Sequence, residues 1–170
     1  GSQCLKFALS RYTWGTSMAD IPYLLVVEAR YYEDIADELV KGAEVAIEAA
    51  GARFTRIWVP GALEIPTAIK MAIRSMESPG VSRGFDGFVA LGCVIRGETS
   101  HYDHVCQECM HGLAQLTTTH SVALGNGVLT CENRDQAYKR AAVNAGDKGG
   151  TAARAALRMI DVKRHLLSQQ

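Results

Sequence analysis

The chain has 170 residues, of which 48% are hydrophobic and 21% charged, so its length and composition suit a single domain with a sizeable core. The 18 basic and 18 acidic residues balance to a formal net charge of zero, which argues against a nucleic-acid surface built on bulk charge. The longest apolar runs are too short to span a bilayer. The 5 cysteines show no framework spacing, so we expect a reducing compartment, by default the cytoplasm.

The first 18 residues differ in character from the rest of the chain. The stretch has a faintly apolar centre with basic residues, but it is too short and too interrupted for a good signal peptide. Gly1 and Ser2 resemble the remnant of an expression tag, and Met18 is a candidate native start. We therefore expect a tag or disordered extension over residues 1–18 and a single domain over residues 19–170.

From residue 24 onward, the chain alternates between strand and helix patterns. The predicted strands are short apolar runs, and the predicted helices have apolar residues three and four positions apart. In chain order the predicted elements are strand 24–28, helix 32–51, strand 54–59, helix 65–76, strand 85–95, helix 100–116, a strand within 121–130, helix 133–143 and helix 151–167. Asn133 and Gln136 fit a capping box at the start of the fourth helix, and Gly149 with Gly150 predicts a break before the last one.

This order of elements predicts an α/β fold. Near-continuous apolar strands that alternate with helices are typical of a parallel sheet covered by helices on both faces. Ligands of such sheets bind beyond the carboxyl ends of the strands. The candidate site residues are therefore those that directly follow strands, in segments 30–32, 60–64, 96–101 and 130–133.

The segment Gly97–His104, which reads GETSHYDH, carries more polar side chains than a helix start requires. Ser100 with Asp103 fits a capping box, but this leaves Thr99 and His101 unexplained. Backbone N–H groups at the start of a helix bind anions, and a neighbouring histidine can transfer protons near neutral pH. The segment therefore indicates chemistry on a phosphorylated small molecule.

Other ligand classes receive weaker support from the residues. No G-x-G-x-x-G follows the first strand, and no glycine-rich run carries the G-K-[ST] of a P-loop. His101, Asp103, His104, Cys106 and Cys109 lie close together in sequence, but a helix would spread them around its axis, away from a shared metal ion. The cysteines are better explained as small fillers of helices and strands.

Further charged residues each keep two interpretations. Glu64 is either a first-turn acid favoured by the helix dipole or a ligand for hydroxyl and amide donors. Arg140 and Lys148 are solvated surface charges, unless the fold brings them to the phosphate site. Spacing alone does not decide between these interpretations.

Several segments in one order resemble the lumazine synthase family. They are Val59–Pro66 (VPGALEIP), Val94–Asp103 (VIRGETSHYD), Gly127–Thr130 followed by Glu132-Asn133 and Gln136-Ala137, and Lys148-Gly149. Their order and spacing agree with the family from about Leu24 to Leu167. The resemblance implies a flavodoxin-like, three-layer α/β fold, with a four-stranded parallel sheet and helices on both faces.

The resemblance also implies an activity. Members of the family are transferases of riboflavin biosynthesis that condense 5-amino-6-(D-ribitylamino)uracil with 3,4-dihydroxy-2-butanone 4-phosphate, without a metal or organic cofactor. The products are 6,7-dimethyl-8-ribityllumazine, phosphate and water. We therefore expect two small-molecule substrates, no cofactor, no metal, and neither nucleic acid nor membrane as a partner.

The family's functional residues can be carried over by matching position. His101 becomes the proton donor and acceptor, and Glu98, Thr99 and Arg140 become phosphate ligands. The residues that match substrate-binding positions are Tyr31, Ala62, Leu63, Glu64, Cys93, Val94, Ile95, Asn126 and Lys148.

Assembly follows from the same resemblance. Family members form pentamers, in which a neighbouring subunit supplies the positions of Asn126, Arg140 and Lys148. Shell-forming members often carry a G-T-K-A-G-N-like turn before the lysine, whereas this chain has AVNAGD at residues 142–147. We therefore expect a homopentamer, free or paired into a decamer rather than built into an icosahedral shell, with riboflavin synthase as a further candidate partner.

Departures from the family pattern keep other interpretations open. Tyr31 replaces a commoner phenylalanine, and Leu63 and Asn126 stand where aromatic residues are frequent. Loss of one aromatic stack weakens binding by ~1 kcal/mol, so we expect modest substrate affinity. The alternatives are a non-catalytic relative that binds flavin or lumazine or builds a shell, and a metal-dependent hydrolase that uses His101 and His104. The intact His101 favours the transferase.

Overall fold

The structure, a computed structural model, describes residues 14–15, 17–81 and 83–169. Of the predicted N-terminal extension, residues 1–13 and 16 lie outside the described residues. The elements in chain order are β1 (Tyr23–Ala29), α1 (Glu33–Ala49), β2 (Arg53–Val59), α2 (Glu64–Met76), β3 (Gly87–Ile95), α3 (His101–His120), β4 (Ala123–Cys131), α4 (Arg134–Ala141) and α5 (Lys148–Ser168). The predicted alternation of strands and helices is confirmed.

The sheet is parallel throughout, with the strands in the order β2-β1-β3-β4. The central strand β3 is buried from Gly87 to Cys93, whereas the edge strand β2 is mostly exposed. This difference follows from position, because an edge strand has a neighbour on one side only. The predicted four-stranded parallel sheet is therefore confirmed.

Helices cover both faces of the sheet and form one apolar core on each. On one face, Leu39 of α1 and Leu157 of α5 are fully buried in a cluster that also includes residues of α4. On the other face, Ile69 of α2 packs in a cluster with Leu113 of α3. The apolar stripes that predicted these helices thus become the two interfaces of the three-layer fold.

The last helix begins earlier than predicted. The expected break at Gly149 and Gly150 is wrong, because both residues lie in the first turn of α5. A Cβ on Gly149 would overlap the carbonyl oxygen of Leu39 and lie 2.7 Å from its carbonyl carbon. The glycine therefore allows α5 to approach α1 closely. Asp147 caps the helix by accepting from the N–H of Gly150 at 3.2 Å.

Other helix ends also differ from the prediction. α3 continues past residue 116 to His120, and the hydroxyl of Thr117 is satisfied within the helix by donating to the carbonyl oxygen of Ala114 at 2.7 Å. α4 ends at Ala141, before residue 143. In the part of the chain that the structure describes, no helix combines the length and apolar character needed to cross a membrane.

One predicted capping box is confirmed and the other is wrong. The side chain of Asn133 accepts from the N–H of Gln136 at 2.9 Å, as expected at the start of α4. The side chain of Ser100 makes no capping hydrogen bond at the start of α3. Asp103, the expected partner in that box, instead forms an ion pair with Arg96 at 3.3 Å.

Candidate functional site

A cleft of about 360 Å³ opens beyond the carboxyl ends of β1, β2 and β3. This is the edge at which parallel sheets bind ligands, because the loops that follow the strands converge there. The residues that line it are Tyr31, Tyr32, Gly61, Ala62, Leu63, Glu64, Cys93, Val94, Ile95, Gly97, Thr99, His101, Tyr102 and Val105.

Two tyrosines between β1 and α1 form one wall of the cleft. Tyr31 is 75% exposed, whereas Tyr32 is partly buried against the core beneath α1. Their rings meet edge to face, with centroids 4.9 Å apart and planes at 74°. Tyr32 is therefore held by the core and supports Tyr31, whose exposed ring is available to stack on a flat ligand.

The turn between β2 and α2 contributes an apolar surface and a carboxylate. Ala62 is buried, and Leu63 is 44% exposed. Glu64 is the first residue of α2, and its N–H donates to the carbonyl oxygen of Gly61 at 3.2 Å. Its carboxylate folds back over this turn, since a Cβ on Gly61 would lie 3.2 Å from Glu64 Oε2. Glu64 is thus a first-turn acid that also lines the cleft.

The end of β3 supplies backbone groups and a buried thiol. β1 pairs with β3 only as far as Leu91, so in the described sheet the β1-facing edge of residues 93–95 has no strand partner. Burial raises the pKa of the Cys93 thiol to about 12, and the nearby Cys131 adds to the rise. A thiol with this pKa is neutral at pH 7 and is not an active nucleophile. Cys93 therefore contributes shape and backbone groups to the cleft.

The loop from Gly97 to Ser100 leads into α3. In the described part of the chain, the N–H groups of residues 97–100 donate to no protein group. His101 is exposed at the first position of α3, and its own N–H donates to Thr99 Oγ1 at 3.3 Å. Unpaired N–H groups at the positive end of a long helix attract an anion. A histidine beside them can exchange protons with whatever binds there.

Arg96 fixes this loop, a role that the sequence analysis missed. Its N–H donates to the carbonyl oxygen of Cys131 at 3.0 Å, and its guanidinium pairs with Glu132 at 2.8 Å and with Asp103 at 3.3 Å. It also lies 4.3 Å from the centroid of the Tyr102 ring, which lines the cleft. Each exposed ion pair is weak alone. Together these contacts join the loop to both α3 and the end of β4.

Most of the predicted site residues meet in this cleft. Those that line it are Tyr31, Ala62, Leu63, Glu64, Cys93, Val94, Ile95, Thr99 and His101. Glu98 belongs to the loop but is not among the lining residues. Three further lining residues, Tyr32, Gly61 and Gly97, belong to the predicted site segments, and Tyr102 and Val105 lie beyond those segments. Val105 lies one helical turn after His101, so helical spacing from the histidine could have identified it.

The remaining predicted residues lie away from the cleft within one chain. Asn126 is exposed on the edge strand β4. It lies about 10 Å along the strand from Leu129, the residue of β4 that pairs with Cys93. Arg140 and Lys148 are exposed on α4 and α5, which cover the opposite face of the sheet from α2 and α3. A single chain therefore does not bring the whole predicted set together.

The histidines and cysteines near the start of α3 are the candidate metal ligands of the sequence. Among the residues that the structure describes, no group of three or more histidine, cysteine, aspartate or glutamate side chains is placed to hold a metal ion. Cys93, Cys106, Cys109 and Cys131 are free thiols.

Comparison with known proteins gives a consistent result. The family model described as 6,7-dimethyl-8-ribityllumazine synthase matches residues 23–164, a range that includes every lining residue of the cleft. A protein of Rhizobium meliloti named 6,7-dimethyl-8-ribityllumazine synthase 1 is 54% identical over 144 residues, which cover 85% of this chain and 93% of that protein. A 6,7-dimethyl-8-ribityllumazine synthase of Agrobacterium fabrum is 53% identical over 145 residues, covering 85% and 97%. One of Methylorubrum populi is 52% identical over 141 residues, covering 83% and 82%.

Proposed function

The chain belongs to the 6,7-dimethyl-8-ribityllumazine synthase family, and we propose that it catalyses the reaction for which this family is named. In that reaction 5-amino-6-(D-ribitylamino)uracil and 3,4-dihydroxy-2-butanone 4-phosphate give 6,7-dimethyl-8-ribityllumazine, phosphate and water. The observation that carries the proposal is the cleft, in which residues from separate family motifs meet around one volume. Those motifs are the turn after β2 and the segment that runs from the end of β3 into α3.

The loop from Gly97 to Ser100 is the proposed site for the phosphate of the butanone substrate. Its unpaired N–H groups and the positive end of α3 favour an anion without placing a fixed positive charge there. Thr99 and Glu98 contribute mainly through their backbones. The guanidinium of Arg140, supplied by a neighbouring subunit, would complete the site, because its planar fork matches two phosphate oxygens.

The pyrimidine is proposed to bind between the tyrosine wall and the end of β3. Tyr31 presents an exposed ring for stacking, and the unpaired backbone edge of residues 93–95 can exchange hydrogen bonds with the carbonyl and N–H groups of the uracil. Leu63 and Glu64 border the remaining side of the volume. The carboxylate of Glu64 suits the hydroxyl groups of the ribityl chain, since charged acceptors make the stronger hydrogen bonds.

His101 is the proposed proton donor and acceptor. The amine of the pyrimidine attacks the ketone carbonyl, and loss of water gives an imine. Loss of phosphate, tautomerisation, attack of the ribityl-bearing nitrogen on the second carbonyl and loss of a further water then close the ring. Each of these steps moves a proton, and an exposed imidazole beside the phosphate loop is within the same cleft. General acid–base assistance of this kind contributes ~10²–10⁴-fold.

A homopentamer with sites at subunit boundaries is part of the proposal. Asn126, Arg140 and Lys148 are exposed on elements that do not border the cleft of their own chain, which supports their contribution to the cleft of a neighbour. The non-catalytic flavin-binding alternative is not favoured, because relatives at about half identity carry the name of the synthase.

The experiment that tests the proposal mixes the two substrates with purified protein. We expect the fluorescence of the lumazine product to appear together with released phosphate. Two histidine variants sharpen the result. His101→Ala should lower kcat by ~10²–10⁴-fold, whereas His104→Ala, which alters an exposed residue of the same helix outside the cleft, should leave kcat nearly unchanged. Equal loss in both variants, or activity abolished by a chelator, would instead support the metal-dependent hydrolase.

A further inference from the structure

Glu28, near the end of β1, is the only charged side chain buried among the described residues, with 3% of its surface exposed. Its carboxylate accepts from Arg30 Nη1 at 3.0 Å, and from Arg56 Nε and Nη2, each at 2.9 Å. An unpaired carboxylate at this position would be strongly unfavourable. Two guanidinium groups, one from the segment after β1 and one from β2, therefore hold it in place.

Arg30 connects this buried carboxylate to the first turns of α1. The same guanidinium donates to Glu33 through Nε at 2.9 Å and through Nη2 at 2.7 Å, and it also pairs with Asp37. The hydrogen bond to Asp37 raises the pKa of Arg30 above its usual value, so its charge is permanent. The backbone N–H of Arg30 donates to the carbonyl oxygen of Val59 at 3.2 Å. Arg30 is thus tied to β1, β2 and α1 at once.

The segment that Arg30 bridges contains the two tyrosines of the cleft. Tyr31 and Tyr32 lie between Arg30 and Glu33, and the contact from Arg30 to Glu33 closes over them. Tyr31 is 75% exposed, so packing covers little of it, and its ring meets that of Tyr32 edge to face. The direction of its ring therefore depends on the backbone of this short segment.

We propose that Arg30, anchored by Glu28, is a positioning residue that presets Tyr31 for stacking on the pyrimidine; the inference rests on the proposed function. Arg30 is not among the residues that line the cleft. It acts by reducing the conformational freedom that the Tyr31 segment would otherwise lose on binding. Its removal should therefore weaken binding of the pyrimidine and leave binding of the phosphorylated ketone unchanged.

Arg56 provides a matched control. It donates to the same carboxylate through two atoms, where Arg30 uses one, and it also pairs with Glu44 of α1 at 3.0 Å. It lies on β2, and in the described part of the chain its guanidinium forms no hydrogen bond or ion pair with Glu33 or Asp37, so it does not bridge the tyrosine segment. A role limited to stability predicts that Arg56→Gln is at least as harmful as Arg30→Gln. A positioning role predicts that only Arg30→Gln changes substrate binding.

The test compares Arg30→Gln, Arg56→Gln and the double variant Glu33→Gln/Asp37→Asn with the wild type. For each, KM for both substrates, kcat and the midpoint of urea unfolding are measured, and binding of the pyrimidine alone is measured by calorimetry. Arg30→Gln should raise the KM and Kd for the pyrimidine by roughly fivefold, the scale of one aromatic stack. The KM for the ketone should stay within twofold in every variant. Arg56→Gln should lower the unfolding midpoint without changing the pyrimidine Kd.

The double variant keeps the test decisive if Arg30→Gln does not fold. It removes both negative charges by which α1 holds Arg30 and leaves Glu28 paired, so it should fold and still weaken pyrimidine binding. An unchanged pyrimidine Kd in the double variant, or an equal rise in Arg56→Gln, would overturn the inference. If the wild type binds the pyrimidine but forms no lumazine, the proposed function fails, while the calorimetric comparison still decides the role of Arg30. Absence of pyrimidine binding by the wild type would overturn both.

Discussion

Mixed oligomers of two inactive variants test whether the catalytic site crosses a subunit boundary. His101 lies at the start of α3, and Arg140 lies on α4, which belongs to the layer on the other face of the sheet. If both act in one site, they come from different chains. His101→Ala should lower kcat by ~10²–10⁴-fold. Arg140→Ala removes a charged hydrogen bond worth ~1.5–3 kcal/mol, or roughly ten- to 150-fold at low substrate concentration.

The expected recovery follows from random mixing. When the two variants are unfolded, mixed in equal amounts and refolded, each site has an even chance of an intact His101 from one chain. It has an independent even chance of an intact Arg140 from the next chain around the ring. About one site in four is then complete, so the mixture should reach about a quarter of wild-type activity. Either variant refolded alone should stay at or below about a tenth.

A second mixture provides the control. Wild type refolded with the double variant His101→Ala/Arg140→Ala should also give about a quarter of full activity if sites are shared, because each site again needs two independent intact contributions. If each site lay within one chain, the second mixture would give about a half and the first would give no recovery. That result, with hybrid oligomers confirmed by native mass spectrometry, would refute the contribution of Arg140 across a boundary.

Further predictions concern single side chains. Glu64→Gln should weaken binding of the pyrimidine by ~1.5–3 kcal/mol and spare the ketone, because the carboxylate lines the cleft where the ribityl chain is proposed to bind. Calorimetry with each substrate checks this, and a change in stability alone would leave Glu64 as a helix-start acid. The pKa of Cys93, raised by burial from 9.0 to about 12, leaves about a thousandfold less thiolate at pH 8. Iodoacetamide followed by peptide mass spectrometry should therefore label the more exposed Cys106 before Cys93, with activity retained while Cys93 is unmodified. Rapid labelling of Cys93 would contradict the burial argument. Gly149→Ala should destabilise the fold by about 3 kcal/mol or more, because backbone atoms of Leu39 occupy the place of the new Cβ. Gly97→Ala, where no atom lies within 4 Å, should cost about 1 kcal/mol or less, and urea unfolding of both variants compares the two costs.

The order of the elements and the edge of the sheet that carries the cleft could be predicted from local patterns. The apolar runs of β1 and β3 are continuous because both strands are covered on two faces, so burial leaves a clear mark in the sequence. The turn after β2 and the start of α3 both follow strands of this one parallel sheet, at its carboxyl edge. For this reason Glu64 and His101 could be predicted as neighbours in space although they are far apart in sequence.

Features that depend on a particular partner in space were missed or mistaken. Asp103 has the right spacing for a capping box with Ser100, but the competing partner Arg96 is set by the tertiary fold. From local sequence alone, Gly149 predicts a helix break. The glycine is instead required by the close carbonyl oxygen of Leu39, which lies on another helix and leaves no local signal. The carboxylate of Glu28 sits within a strand pattern that gives no sign of the two arginines that hold it. In each case the role of the residue is decided by a contact with a residue distant in sequence, which local spacing does not reveal.

The two ends of the cleft have different consequences for catalysis. At the proposed pyrimidine end, Tyr31 and Leu63 expose apolar surface, and covering that surface on binding gains ~25 cal/mol per Å². The lumazine product keeps the pyrimidine ring, so this gain persists after the reaction and favours neither substrate nor product. At the other end, the unpaired N–H groups of residues 97–100 are the proposed site for the phosphate, a group that leaves during the reaction. Interactions with the phosphate can therefore hold the ketone next to the amine before the reaction, and these interactions are lost when the phosphate leaves. A site that binds phosphate mainly through backbone dipoles suits this requirement, because it can orient the substrate and still let the leaving group go.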